Sequence, residues 1–132
     1  MKLKDFFYWG LIASMLVYVL YQKGIILTDF ESIQAKQAYT FYHDNNTTFL
    51  DIREDEELKK EGRIAKSVHI PLPKLDKNID KLNSYKAQKI VIFCRSGNRS
   101  IAASRLLSKH GFKVYNLKGG INAWKAQRLE TF

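Results

Sequence analysis

The chain has 132 residues, 45% of them hydrophobic, with a formal charge of +9 and a single cysteine. That length supports one compact core but not two full domains, and one thiol excludes both a disulfide framework and a multi-thiolate metal site. Without residues 1–27 the balance is still 19 basic against 12 acidic residues. The excess therefore belongs to the globular part, where lysines are scattered rather than clustered, a pattern that does not favour nucleic acid.

Residues 6–21, FFYWGLIASMLVYVLY, carry no charge, and aromatic side chains mark both ends. Aromatic girdles suit the two interfaces of a bilayer, and Lys4 and Lys23 can snorkel to extend a stretch slightly short of the usual span. Val19-Leu20-Tyr21-Gln22-Lys23 offers no small-residue cleavage pattern, so an uncleaved anchor is preferred to a signal peptide. The expected organisation is a transmembrane anchor over 1–24 and a globular domain over 25–132. The protein is expected in a membrane as a single-pass chain, with its domain outside the cytoplasm.

In chain order, Ile25-Ile26-Leu27 reads as a short first strand. Thr28 with Glu31 gives a capping-box signature for a helix through about Tyr42. His43–Asn46 is a turn, Thr47–Arg53 a strand, and Glu54–Lys60 a short helix with an acidic start, closed at Gly62. Ser67–Ile70 is a further strand, stopped by Pro71 and Pro73. A weaker helix covers Asp76–Tyr85, and Lys89–Phe93 is an apolar strand of the kind buried on both faces. Ser100–His110 carries apolar residues at helical spacing and stops at Gly111. Lys113–Leu117 is the next strand, Gly119-Gly120 a turn, and Ile121–Arg128 the last helix. Alternating strands and helices predict an α/β fold with a mainly parallel central sheet of about five strands and helices on both faces, preceded by the transmembrane helix.

Ligands collect at the carboxyl ends of the strands in such sheets, and Cys94 sits at that end of its strand. Arg95-Ser96-Gly97-Asn98-Arg99-Ser100 then leads into a helix whose first amides lack intrahelical acceptors, forming an anion cradle. Those donors and two guanidinium groups favour a thiolate at its centre, and Gly97 lets backbone approach the sulfur closely. A lone buried cysteine is ordinarily packing, but six residues with two cations and no apolar side chain point to chemistry. Asp51 and Arg53 end the neighbouring strand on one face and are expected to pair as a structural support. His69, His110 and His43 carry no catalytic expectation, and Trp124 is expected in the core.

Four motifs in order carry a resemblance: Phe49-Leu50-Asp51-Ile52-Arg53, His69-Ile70-Pro71, Cys94 through Ser100, and Leu117-Lys118-Gly119-Gly120-Ile121-Asn122-Ala123-Trp124. Across roughly residues 25–128 the chain resembles single-domain rhodaneses, the thiosulfate or persulfide sulfurtransferases. It departs from them at Arg63, where members often have His after the glycine, and at Lys66, where they often have Gly. The resemblance implies that Cys94 takes a sulfane sulfur from a small anionic donor and passes it to a thiol or cyanide. Arg95 and Arg99 would hold the donor, Ser96, Gly97, Asn98 and Ser100 would complete the binding loop, and no metal or other cofactor would be needed. Two alternatives stand beside it. One is a phosphatase or arsenate-reductase activity, disfavoured because only four residues separate Cys94 from Arg99. The other is a non-catalytic binding module at the membrane, for which the cysteine and both arginines would be superfluous. No particular protein partner is indicated.

Overall fold

A computed structural model describes residues 2–131. Helix α1 spans Leu3–Gln22 and has no buried residue. It is long and apolar enough, at mean hydropathy 1.4, to cross a membrane by length and composition.

Beyond it five strands form one sheet in the order β1-β5-β4-β2-β3, every neighbouring pair parallel: β1 Glu31–Ile33, β2 Thr47–Asp51, β3 Val68–His69, β4 Lys89–Phe93 and β5 Lys113–Leu117. The helices are α2 Ala35–Tyr42, α3 Asp55–Glu61, α4 Leu72–Leu75, α5 Arg99–Lys109 and α6 Gly120–Ala126, with a 3₁₀ segment over Asp76–Tyr85. The expected class and strand number are both observed.

Central strand β4 shows why the sheet needs cover on both sides. Its alternating side chains split between two cores: Ile90, Ile92 and then Cys94 face Leu75, Leu82, Ala103 and Leu107 of α4, the 3₁₀ segment and α5. Val91 and Phe93 face Ala35, Ala38, Ile121 and Trp124 of α2 and α6. The period of two along a strand produces this division directly. Trp124 is fully buried, as expected, with edge-on contacts to Tyr39, Tyr42 and Phe49 at 5.6–5.8 Å. Its indole N–H donates to the Glu130 carbonyl at 2.8 Å.

Three local expectations need correction. Ile25–Leu27 is not a strand; it is a bent connection, with Leu27 at φ 53°. The first strand is Glu31–Ile33, so the helix expected from Thr28 begins only at Ala35. Parallel pairing of Glu31, Ser32 and Ile33 with Tyr115, Asn116 and Leu117 supplies backbone partners that a local cap cannot match, and Ile33 becomes buried. The weak helix at 76–85 is a 3₁₀ run broken at Asn78, preceded by α4 with Pro73 in its first turn. Proline has no amide hydrogen to lose there, which makes Pro73 a helix opener as well as a strand stop. Lys66 takes φ 62°. The turn keeps a left-handed backbone despite the side chain.

The exit of α1 is tied to the domain. Arg105 of α5 lies 3.7 Å over the Tyr21 ring and donates to the Tyr21 carbonyl, to Leu27 O at 2.5 Å and to Ile26 O at 3.4 Å. The last carbonyls of a helix lack intrahelical partners and carry partial negative charge; a guanidinium satisfies both needs.

Candidate active site

Cys94 follows β4 directly and is 1% exposed. Its strand lies in the middle of the sheet, flanked by β5 and β2, so the sulfur sits at the carboxyl end of a strand whose backbone is paired on both edges. The Gly97 N–H donates to Cys94 Sγ at 3.1 Å. Ser100 Oγ lies 3.6 Å from the sulfur and 2.5 Å from Asn116 Oδ1. The Asn116 amide in turn donates to Ser32 Oγ at 3.3 Å, carrying a polar chain from the sulfur across β5 to β1.

The loop is braced from below by the N-terminus of α6. Ile121 N–H donates to Cys94 O at 2.9 Å and Asn122 N–H to Arg95 O at 3.1 Å. These are amides that a helix start leaves unsatisfied, so the Gly119-Gly120 turn and the cysteine loop complete one another. At Gly97 a Cβ would stand 2.9 Å from the Gly119 nitrogen, which is why the loop needs glycine there.

The two loop arginines are not open cations. Arg99 makes a bidentate pair with Glu57, Nη1 to Oε2 at 2.8 Å and Nη2 to Oε1 at 2.5 Å. Arg95 pairs with Glu61 at 3.2 Å. The Arg99 hydrogen bond, against a smaller opposing effect of desolvation, holds the Glu57 carboxyl down to about 2; the Glu54 amide and the Arg53 charge add to the lowering. The same bond raises Arg99, with the Cys94 charge among the further contributions. Helix α3 presents both carboxylates because Glu57 and Glu61 are four residues apart on one face, and its start is fixed by the Glu54 N–H to Glu57 Oε2 bond of 2.8 Å.

Asp51 and Arg53 pair as expected and are fully buried. Arg53 Nε and Nη2 reach the Asp51 carboxylate at 3.0 and 2.8 Å, and Nη2 also donates to Gly62 O at 2.9 Å. Among the described residues Arg53 Nη1 has no hydrogen-bond partner, and it stands 4.0 Å from Glu61. The pair thus ties the end of β2 to the C-terminal end of α3, which carries Glu61. His69 Nε2 lies 2.6 Å from Arg53 O and is structural, and His110 Nδ1 meets Leu106 O at 2.9 Å.

Ser96 and Asn98 are exposed and, among the described residues, are not hydrogen-bonded to the sulfur; with Gly97, Asn116 and Lys118 they border a cavity of about 520 Å³ that extends to Lys23–Ile25 at the α1 exit. Of the expected site residues, Cys94, Gly97 and Ser100 converge, Arg95 and Arg99 flank them through ion pairs, and Asp51 and Arg53 stand behind. Sequence reasoning missed Glu57, Glu61 and Asn116. Asn116 did leave a signal: along β5 it shares a face with Val114, where the alternation otherwise calls for an apolar side chain.

A family model described as "Rhodanese-like domain" matches residues 34–127. The chain belongs to the rhodanese-like domain family. Among rhodanese-type relatives it is similar to YtwF of Bacillus subtilis, 37% identical over 84 residues, covering 64% of this chain and 79% of that protein. It is also similar to the thiosulfate sulfurtransferase GlpE of Coxiella burnetii, 29% identical over 98 residues, covering 74% of this chain and 89% of that one. Among solved structures, a rhodanese-related protein from Thermoplasma volcanium superposes with a TM-score of 0.72 at 33% identity, covering 78% of this chain and 98% of the other. The rhodanese-like match includes the Cys94 loop, α3 and the β5–α6 turn, and leaves α1 outside it.

Proposed function

We propose that this rhodanese-like domain is a sulfurtransferase that works through a persulfide on Cys94. The observation that carries the reading is the cysteine itself: its sulfur receives the Gly97 amide at 3.1 Å within a loop that is held by α6 and flanked by two arginine side chains. A thiolate there attacks the outer sulfur of a donor, the donor's sulfur–sulfur bond breaks, and the leaving group departs with the electron pair. The loop amide stabilises the resulting persulfide anion. A thiol or cyanide then attacks the outer sulfur and restores Cys94. No metal or cofactor enters this cycle.

The same reading assigns residues 1–24 to a membrane anchor and 25–132 to the sulfurtransferase domain, with the domain outside the cytoplasm. In support of the anchor, no residue of α1 is fully buried against the domain.

The test is a mass measurement on the full chain in detergent after incubation with a sulfur donor. Wild-type protein should gain one sulfur atom, and Cys94→Ser none. Folded wild-type protein that gains none would leave the binding-module reading in possession. Tag accessibility in intact cells reports the side of the membrane.

A further inference from the structure

We propose that Glu57, acting through Arg99, selects the sulfur donor by charge, so that the site takes a persulfide with at most one negative charge on its reacting sulfurs in preference to a dianion such as thiosulfate. This deepens the proposed relay and rests on it. Two cations flank Cys94, and each already has a carboxylate partner on α3: Glu57 on Arg99, at 2.5 and 2.8 Å through both nitrogens, and Glu61 on Arg95 at 3.2 Å. The Arg99 pair is the tighter and less exposed of the two. The two loop arginines are therefore largely neutralised by α3, and Lys118 and Lys23 are the further cations bordering the cavity beside the loop.

A dianionic donor approaching a Cys94 thiolate brings three negative charges together. To be compensated by a loop arginine it draws Arg99 away from Glu57, leaving that carboxylate without its partner. Glu57 stays ionised near neutral pH, so protonation does not release the arginine. A persulfide R–S–S–H makes no such demand. The Cys94 thiolate attacks its outer sulfur, the S–S bond breaks, the R–S fragment leaves with the electron pair and takes the proton, and Cys94 holds the persulfide anion. The sulfane sulfur is exchanged between thiols, with no external oxidant or reductant.

Glu57 is a positioning residue here, since it touches Arg99 and not the donor, and the readout must register charge rather than folding. Full-length wild type and Glu57→Gln in detergent are each alkylated at Cys94 with iodoacetate and with iodoacetamide, which differ by one negative charge. Removing the one carboxylate charge that is paired with Arg99, at a high effective dielectric, should raise the iodoacetate-to-iodoacetamide rate ratio about two- to fivefold. In turnover, KM for thiosulfate should fall by about the same factor with kcat little changed, while KM for a persulfide that carries no other charged group, such as 2-hydroxyethyl persulfide, should change less. An unchanged alkylation ratio in folded Glu57→Gln overturns the proposal. If that variant does not fold, Glu61→Gln decides, with an expected rise of about twofold because Arg95 is more solvent-screened; no rise there overturns it. The alkylation ratio does not depend on sulfur transfer. A protein that never gains sulfur but shows the ratio change would defeat the relay and leave the charge selection standing.

Discussion

Replacing Gly120 with alanine should do more damage than its size suggests. Gly120 opens α6 at φ 58°, and a Cβ there would stand 2.6 Å from Arg95 O and closer still to Cys94 O. A left-handed backbone costs an L-residue about 1–2 kcal/mol. Overlap with main-chain oxygens, which cannot swing aside as a side chain can, adds about 1–3 kcal/mol, for a loss of about 2–5 kcal/mol in all. Gly111 provides the control: its φ is 84°, yet the nearest atom to an added Cβ is the flexible Lys86 side chain at 3.9 Å. Gly111→Ala should therefore lose only the backbone part. Urea unfolding of both variants, compared at equal slope, should separate them by about 1–3 kcal/mol. Iodoacetamide should meanwhile modify Cys94 at an altered rate in Gly120→Ala alone, since only that methyl pushes on the cysteine loop. Equal losses in the two variants would refute the idea that α6 and the loop are in contact without slack.

Three further outcomes are expected. Asp51→Asn leaves the Arg53 guanidinium buried without its counter-charge and should cost about 3–5 kcal/mol, whereas Asp51→Leu with Arg53→Met should cost less; urea midpoints check the order. Glu57 titrates lower in the folded chain than its ordinary 4.5, so its contribution is fully present above that value and is lost as pH falls toward about 2. Solvent screening at the partly exposed Arg99 reduces this to about 1–2 kcal/mol, and urea midpoints taken between pH 5.5 and 2.5 should fall less steeply in Glu57→Gln than in wild type. Lys66→Gly should stabilise the chain by up to about 1 kcal/mol, because relief of the positive φ outweighs the added freedom of the unfolded chain; a lower melting temperature would contradict this.

The C-terminal half was the most legible part of the sequence. Lys89 to Ala126 runs strand, loop, helix, strand, turn and helix, with its signals contiguous and its strands buried enough to show alternation. Strand β1 was not legible. Three residues at a sheet edge have almost no pattern of their own, and Glu31–Ile33 is a strand because β5 lies beside it. Apolar Ile25–Leu27 looked more like a strand, yet its carbonyls go to Arg105. Within the site, Cys94 and its loop could be read locally, since one heptapeptide holds the nucleophile, the amide and both cations. The partners of those cations could not. Glu57 lies 42 residues before Arg99, and its charges resembled an ordinary solvated helix start until the sheet order brought β2 beside β4 and carried α3 over the loop.

Arg105 couples the exit of α1 to α5. Because one guanidinium grips Tyr21, Ile26 and Leu27 at once, any twist of the long helix is handed on to α5, and so to the segment that begins at the cysteine loop. One extra residue inside α1 ahead of Tyr18 would turn its N-terminal aromatic end by about 100° relative to the sheet, a change in heading with no change in either fold.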